Sequence, residues 1–349
     1  MGSTITLKTL ATELGVSTTT VSNAYSKPDR LSAELRQRIL DKADELGYCG
    51  PSAAGRALRS GKTDVCGFLF GGDLSSAFAD PYSVIFLGGL TRTLEQYGAS
   101  VLLLRAPEER EAEGQLFQRA AIDSIVLCAS TEGHPGLDVL RQRGVRVIAT
   151  QRSEGDWVAI NDTKAGRLIG KHLDRLGHRK VVVIAPGCIP PGEEVMEFGA
   201  SELDAFPSSY GYDRERLNGL AEKMPGAEIR VVIAGPNTRE AGRAAAGYVL
   251  DDQDRPTAIV ALSDVLALGV WDAVADRGLK PGRDISLSGF DDLPDAGFLG
   301  ITTIRQPIAR KGELAGRLAM DPDYPERQIT LPIELVVRAS TGPAPRHVK

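Results

Sequence analysis

The sequence predicts an α/β protein in which a small all-α module precedes a body of two doubly wound parallel sheets. Three observations carry this. Residues 6–46 hold apolar positions at helical spacing, interrupted at Gly15 and Pro28. From Thr63 onward, short apolar runs alternate with helical patterns, which is the spacing of strand–helix–strand units. At 349 residues the chain also exceeds what one core usually serves, so more than one domain is expected.

In the module, Thr6 can cap a helix over Leu7–Leu14 with Leu7, Leu10, Ala11 and Leu14 as its apolar stripe. Gly15 ends that helix by tolerating positive φ. Ser17 caps a second helix from Thr18 to Tyr25, which buries Val21 and Ala24 and shows Thr18, Thr19, Ser22 and Asn23 on its other face. Short hydroxyl and amide side chains suit base edges, and a threonine methyl can meet a thymine methyl. Pro28 breaks the chain. Ser32 then caps a third helix that buries Leu35, Ile39, Ala43 and Leu46, with Arg36 and Arg38 placed to touch phosphate. The pattern reads either as a helix-turn-helix or as a generic three-helix bundle with solvated polar faces.

Charge supports the first reading. The net charge of −5 divides unevenly: residues 1–62 hold 9 Lys and Arg against 6 Asp and Glu, or +3, which leaves −8 for the remainder. A local basic surplus serves phosphate, and an acidic body discourages non-specific wrapping on DNA. No apolar run approaches the roughly 18 residues of a membrane span, and a basic-then-apolar export segment is absent, so a cytoplasmic protein with no membrane partner is expected. Cys49, Cys66, Cys128 and Cys188 match no metal or redox spacing and are read as buried small side chains. Gly61-Lys62-Thr63 resembles the end of a phosphate-binding loop, but that motif needs glycine where Arg56 stands. No catalytic pattern is found, so no enzyme, cofactor or metal is expected.

In the body, strands are expected at Val65–Phe70, Val101–Leu104, Ser124–Cys128, Arg146–Ala149, Val158–Ile160, Val181–Ala185, Ile229–Ile233, Ala258–Ala261 and Ile285–Ser288. Helices are expected at Val84–Tyr97, Thr163–Leu176, Asp264–Asp276 and Ala309–Met320, with edge strands near Gln328 and Glu334. Ligands bind such sheets beyond the carboxyl ends of their strands. Those ends carry Asn161 and Asp162, Ser263 and Asp264, and Asp291 and Asp292. Asp162, Asp264 and Asp291 each stand where a helix or turn begins, so they read as caps or as ligand contacts. Arg216 reads as a surface ion pair or as a cleft residue.

The string L-A-x-x-L-G-V-S-x-x-T-V-S-N (residues 10–23), then S-x-x-L-R-x-R-I-L (32–40), E-L-G-Y (45–48) and R-A-L (56–58), resembles the LacI/GalR family of bacterial regulators. The resemblance implies a periplasmic-binding-protein-like body behind the helix-turn-helix. It further implies a homodimer on palindromic operator DNA, most readily a repressor and alternatively an activator, controlled by a small sugar-like or nucleoside-like effector. It implies base contacts from Thr18, Thr19 and Asn23, backbone or capping roles for Thr6, Ser17, Thr20, Ser22, Ser26, Ser32 and Arg36, and a minor-groove wedge from Leu58. For the effector it implies Phe78, Asp80, Asn161, Asp162, Arg216, Asn237, Ser263, Asp264 and Asp291. The implied layout is a DNA-binding domain over 1–50 and a hinge over 51–62. One subdomain is 63–160 plus 306–325, the other 161–305 plus 326–342, with a flexible tail at 343–349. Three departures stand out. Gly47-Tyr48-Cys49-Gly50-Pro51-Ser52 is one residue longer than the family's G-Y-x-P-N, Ser263 replaces the usual asparagine, and Asn237 falls near where some members place an aromatic that stacks on the ligand. The body alone would equally suit a free-standing solute-binding protein; the N-terminal module argues against that.

Overall fold

Leu10, Ala11, Val21, Ala24, Ile39 and Ala43 close a small core between three helices, α1 (Leu7–Leu14), α2 (Thr18–Ser26) and α3 (Ala33–Glu45). The structure is a computed structural model and describes residues 5–50, 55, 57, 60–71, 74–106, 110–128, 136–189, 195–199 and 211–345. The chain divides into two compact units, Met1–Asp64 and Val65–Lys349. Each helix of the first unit starts at an expected cap: Thr6 accepts from Thr9 N at 3.2 Å, Ser17 from Thr20 N at 3.0 Å and Ser32 from Leu35 N at 3.3 Å. Gly15 ends α1 at φ 66°. In the longer segment before the hinge, Gly50 has φ 96°, and a Cβ there would meet the ring of Tyr25 at 3.2 Å; Tyr25 itself meets Tyr48 edge-on at 6.1 Å.

The second unit contains two sheets. The first holds β1 (Val65–Phe70), β2 (Ser100–Arg105), β3 (Ser124–Cys128), β4 (Arg146–Ala149), β5 (Asp156–Ala159) and β12 (Gln328–Thr330), in the order β12-β5-β4-β3-β1-β2, all parallel. The second holds β6 (Lys180–Ala185), β7 (Met196–Phe198), β8 (Glu228–Ile233), β9 (Ala258–Ala261), β10 (Ser286–Asp291), β11 (Thr302–Arg305) and β13 (Glu334–Val336). Its order is β13-β11-β10-β9-β6-β8-β7, antiparallel only at its two edges. Valine- and isoleucine-rich runs form the central strands because helices cover both faces.

The chain passes between the sheets three times: after β5, after β11, and between β12 and β13. Gln328–Thr330 pairs with β5, so the last return to the second sheet falls beyond residue 330, later than the expected 326. The tail also differs from expectation. Ala344 N donates to Leu176 O, and Gly342 is tied to Ser286 and His178, so the chain is held past residue 343. A short edge strand, β7, lies between β6 and β8 along the chain, where no strand was expected. Cys66 and Cys128 are buried, whereas Cys49 and Cys188 are exposed, contrary to their reading as core residues.

Facing glycines bring the helices on these sheets together. They are α5 (Pro81–Gln96), α8 (Asp162–Arg175), α9 (Gly211–Lys223), α10 (Arg239–Asp251), α11 (Asp264–Asp276) and α13 (Ile308–Met320), numbered after α4 (Leu74–Ala79), α6 (Arg110–Arg119) and α7 (Leu137–Gln142). A Cβ on Gly166 would overlap the Arg216 carbonyl, and one on Gly219 the Thr163 carbonyl, so α8 and α9 touch backbone to backbone. Gly89 and Gly312 join α5 to α13 in the same way, as Gly242 and Gly269 join α10 to α11. Adjacent glycines in α5 therefore differ in sign. Gly89→Ala should destabilise by about 1–3 kcal/mol through overpacking. Gly88, exposed with open space around its Cα, should gain up to about 1 kcal/mol as Gly88→Ala. Urea unfolding of both variants separates the two cases.

Candidate functional site

In the first unit, α2 presents Thr18 and Thr19 exposed, with Ser22 and Asn23 half-buried beside them. The remaining hydroxyls are engaged within the module: Ser17 Oγ lies 2.8 Å from Thr20 Oγ1, and Ser26 Oγ donates to Ser22 O at 2.9 Å. Arg36 and Arg38, expected on phosphate, each also pin a helix end. Arg36 Nε donates to Ala24 O and Arg38 Nη2 to Leu14 O, both at 3.3 Å, which fixes α1 and α2 on α3. Both arginines remain exposed with further donors. Leu58 lies outside the described residues; its neighbours Gly55, Ala57 and Ser60 are helical.

The second unit gathers charge around Arg216. This arginine is only 8% exposed. Nε donates to Asp162 Oδ1 at 2.8 Å and Nη1 to Leu262 O at 2.9 Å. Its guanidinium lies 3.5 Å from the centre of the Phe290 ring and 4.5 Å from that of Tyr212, so it is held between two aromatic faces. Asp213, one turn earlier in α9, stands 3.9 Å from Nη1. The surface-ion-pair reading of Arg216 is thereby excluded. The acids also do more than cap. Asn161 is the α8 cap, accepting from Lys164 N at 2.8 Å, which frees Asp162 for Arg216.

The other expected residues are distributed as follows. Asp80 caps α5, accepting from Tyr82 N and Ser83 N at 3.2 Å each. Ser263 caps α11 and donates to Asn237 Oδ1 at 2.5 Å. Asp264 takes Leu293 N and Thr303 Oγ1, each at 2.7 Å, which ties α11 to the ends of β10 and β11. Asp291 ends β10 at φ 115°, a conformation that strains a residue with a side chain, and it accepts from Gln306 Nε2 at 2.6 Å. Phe78, on α4, is 60% exposed. Four contributors were not foreseen: Asp213, Gln306, Tyr82 and Lys311, the last donating to Tyr82 Oη at 3.2 Å. Lys311 had a readable signal, because it occupies the apolar stripe Ile308, Lys311, Ala315, Leu318 of α13, where every other member is a buried hydrophobe.

Electrostatics follow from this burial. Desolvation pushes the Asp213 carboxyl up to about 7, against the pull of Arg216. It also raises Asp264 to about 7, and Asp291 well above the ordinary carboxylate range, where Asp264 adds to the effect. Burial lowers Lys311, opposed by Asp162, and raises the Tyr82 hydroxyl. For Arg216, burial opposes the charge, but Asp162 and Asp213 together hold it more firmly protonated than a free arginine.

Residues 171–341 match a family described as a periplasmic binding protein-like domain. A helix-turn-helix-type transcriptional regulator of Mycolicibacterium smegmatis is 33% identical over 331 residues, covering 91% of this chain and 90% of its own. A crystal structure of a LacI-family transcriptional regulator from Corynebacterium glutamicum aligns over 99% of this chain and all of its own, at 28% identity and a TM-score of 0.69. The chain belongs to the LacI family of transcriptional regulators. The lac repressor dimer bound to operator and the anti-inducer ONPF shares the fold of this LacI-family regulator, with a TM-score of 0.71 at 22% identity over 97% of this chain and 99% of that one.

The buried acids give the regulator a pH signature. Asp213 ionises near 4 when unfolded and near 7 when folded, so rising pH strips the proton from the unfolded chain first. Stability conferred by the neutral carboxyl is complete below about pH 4 and lost as pH rises through about 7. Relative to wild type, Asp213→Asn should gain on the order of 1–3 kcal/mol between pH 5 and pH 8. Melting curves of the ligand-free proteins across that range report the difference.

Proposed function

We propose that this regulator binds a palindromic operator as a homodimer in the cytoplasm and represses transcription, with its DNA affinity set by a sugar-like effector between the two subdomains. The observation that carries the effector reading is Arg216. A buried guanidinium, stacked between Phe290 and Tyr212 and tied to Asp162, offers planar, directional hydrogen bonds in a site drawn from both sides of the chain's crossings. Asp291 and Gln306 flank it at the second crossing. Hydroxyl-rich ligands match such paired donors and acceptors.

Thr18, Thr19 and Asn23 would face bases in the major groove, with backbone contacts from the surrounding hydroxyls. The hinge over 51–62 is too short to be a stable isolated helix, so its order would depend on DNA, and Leu58 would wedge between base steps. Effector and operator would then act through one equilibrium between subdomain arrangements. Linkage requires each to change the affinity of the other by the same factor.

Three outcomes test this. Leu58→Ala should weaken operator binding by tenfold or more, on the order of the unstacking and contact energy of a wedge, while the thermal shift caused by effector stays as in wild type. Gel shifts at increasing salt should show affinity falling steeply, about 10³-fold or more between 50 and 200 mM if six or more phosphates are contacted. A flat salt response overturns operator binding. Arg216→Ala should abolish the effector-induced rise in melting temperature, which at 100 times Kd corresponds to about 2.7 kcal/mol.

A further inference from the structure

Hydrogen-bond accounting at the Arg216 site reveals an imbalance of one sign. Asp213 is fully buried, and among the described residues neither of its carboxylate oxygens receives a hydrogen bond; its nearest cation, Arg216, stands 3.9 Å away with Nη1 already bonded to Leu262 O. Gln306 is 6% exposed, donates to Asp291 and leaves its own Oε1 without a donor. With Asp213 ionised, the unmet groups are therefore acceptors. Three carboxylates, Asp162, Asp213 and Asp291, act on Arg216, and two of them, Asp162 and Asp291, also act on Lys311.

A buried acceptor without a donor costs as much as a lost hydrogen bond, more when it is charged. A ligand that enters this site must therefore bring hydrogens. An oxyanion brings only acceptors and would lie against carboxylates in a water-poor space. A hydroxyl can donate to Asp213 or Gln306 and still accept from the free positions of Arg216 and Lys311.

We propose that Asp213 is a specificity-determining ligand contact, and that with Gln306 it selects an uncharged, hydroxyl-donating effector over its phosphorylated or acidic counterparts. The inference rests on the effector reading given above and narrows it to a chemical class. The burial that pushes Asp213 up to about 7 agrees with it, since a bound hydroxyl would supply the missing donor and stabilise the ionised form.

Matched probes decide the matter by thermal shift followed by calorimetry on the full chain. The neutral set is glucose, ribose, cellobiose and mannitol; the anionic set is glucose 6-phosphate, ribose 5-phosphate and gluconate. A neutral probe should bind at least tenfold tighter than its anionic partner. Asp213→Ala should lose at least tenfold for that neutral probe and narrow the neutral-to-anionic ratio, while Asp213→Asn, which keeps one acceptor, falls between. Neither variant should melt below the ligand-free wild type at pH 8, which shows that the loss is not unfolding. A purely structural role would instead lower the melting temperature and leave the ratio unchanged. An anionic probe that binds more tightly, or an unchanged ratio in both variants, overturns the inference yet leaves Arg216 in an effector site. If no probe of either set binds wild type, the sugar-like effector reading itself fails and takes this inference with it.

Discussion

The bond between Arg216 and Asp162 is the contact on which the body's architecture converges. It joins α9 to the first turn of α8, and Arg216 reaches on to the carbonyl of Leu262 beyond β9 and stacks on Phe290 of β10. A charge this deep is costly, and an apolar pair of similar volume would often be as stable or more so. Its compensation depends on geometry that the backbone must supply. Gly166 and Gly219 supply it, because any larger residue would push α8 and α9 apart and draw Arg216 away from Asp162. Small residues thus govern the position of a buried charge that neither of them touches with a side chain.

The two units solve opposite problems with similar side chains. In the helical module, hydroxyls of Thr6, Ser17 and Ser32 satisfy the free backbone N–H groups at helix starts, and Ser26 turns back on its own helix. That leaves Thr18 and Thr19 exposed on a rigid helix. In the body, caps are assigned to Asn161, Asp80 and Ser263, and those at Asn161 and Ser263 release Asp162 and Asp264 for contacts at the strand ends. The division of labour between Asn161 and Asp162 is one residue wide. Only a side chain at the N-cap position reaches the N–H three residues ahead, and the next residue along points elsewhere.

Much of this was readable in the sequence. The strands β1 to β6 and β8 to β10 follow apolar runs bounded by turn residues, and the helix starts follow capping side chains, because both signals are local. The parts that were missed are non-local. Asp213 lay at the end of an irregular acidic stretch and only becomes notable three residues from a buried arginine. Lys311 was visible as a charge in an apolar stripe, but its partner Tyr82 is 229 residues away along the chain. Facing glycines cannot be paired from one sequence, since each is unremarkable until its neighbour helix is known. Arg36 and Arg38 were legible as cations yet not as helix clamps, because the carbonyls they hold belong to other helices. The last crossing was misplaced for a related reason. Gln328–Thr330 is a three-residue edge strand, and which sheet it joins depends on β5.

Asp291 ties the end of β10 to the crossing that leaves β11 for the first sheet. Its backbone sits at φ 115° and that of Asp292 at φ 58°, so two consecutive non-glycine residues hold left-handed conformations at the end of β10. Asp292 is anchored there by Arg305 and Arg338, both at 2.6 Å. That anchorage offsets the strain and keeps the Asp291 carboxylate facing Gln306, the residue on which the chain leaves β11 for the first sheet. Under the proposed function, a ligand hydroxyl that donated to Asp291 would compete with the Gln306 amide for the same acceptor. Displacing that amide would loosen the crossing, and reorienting the crossing would change what the carboxylate faces. Binding and subdomain arrangement would then be two descriptions of one hydrogen-bond exchange, and an effector would act on the arrangement only by the difference it made to that exchange.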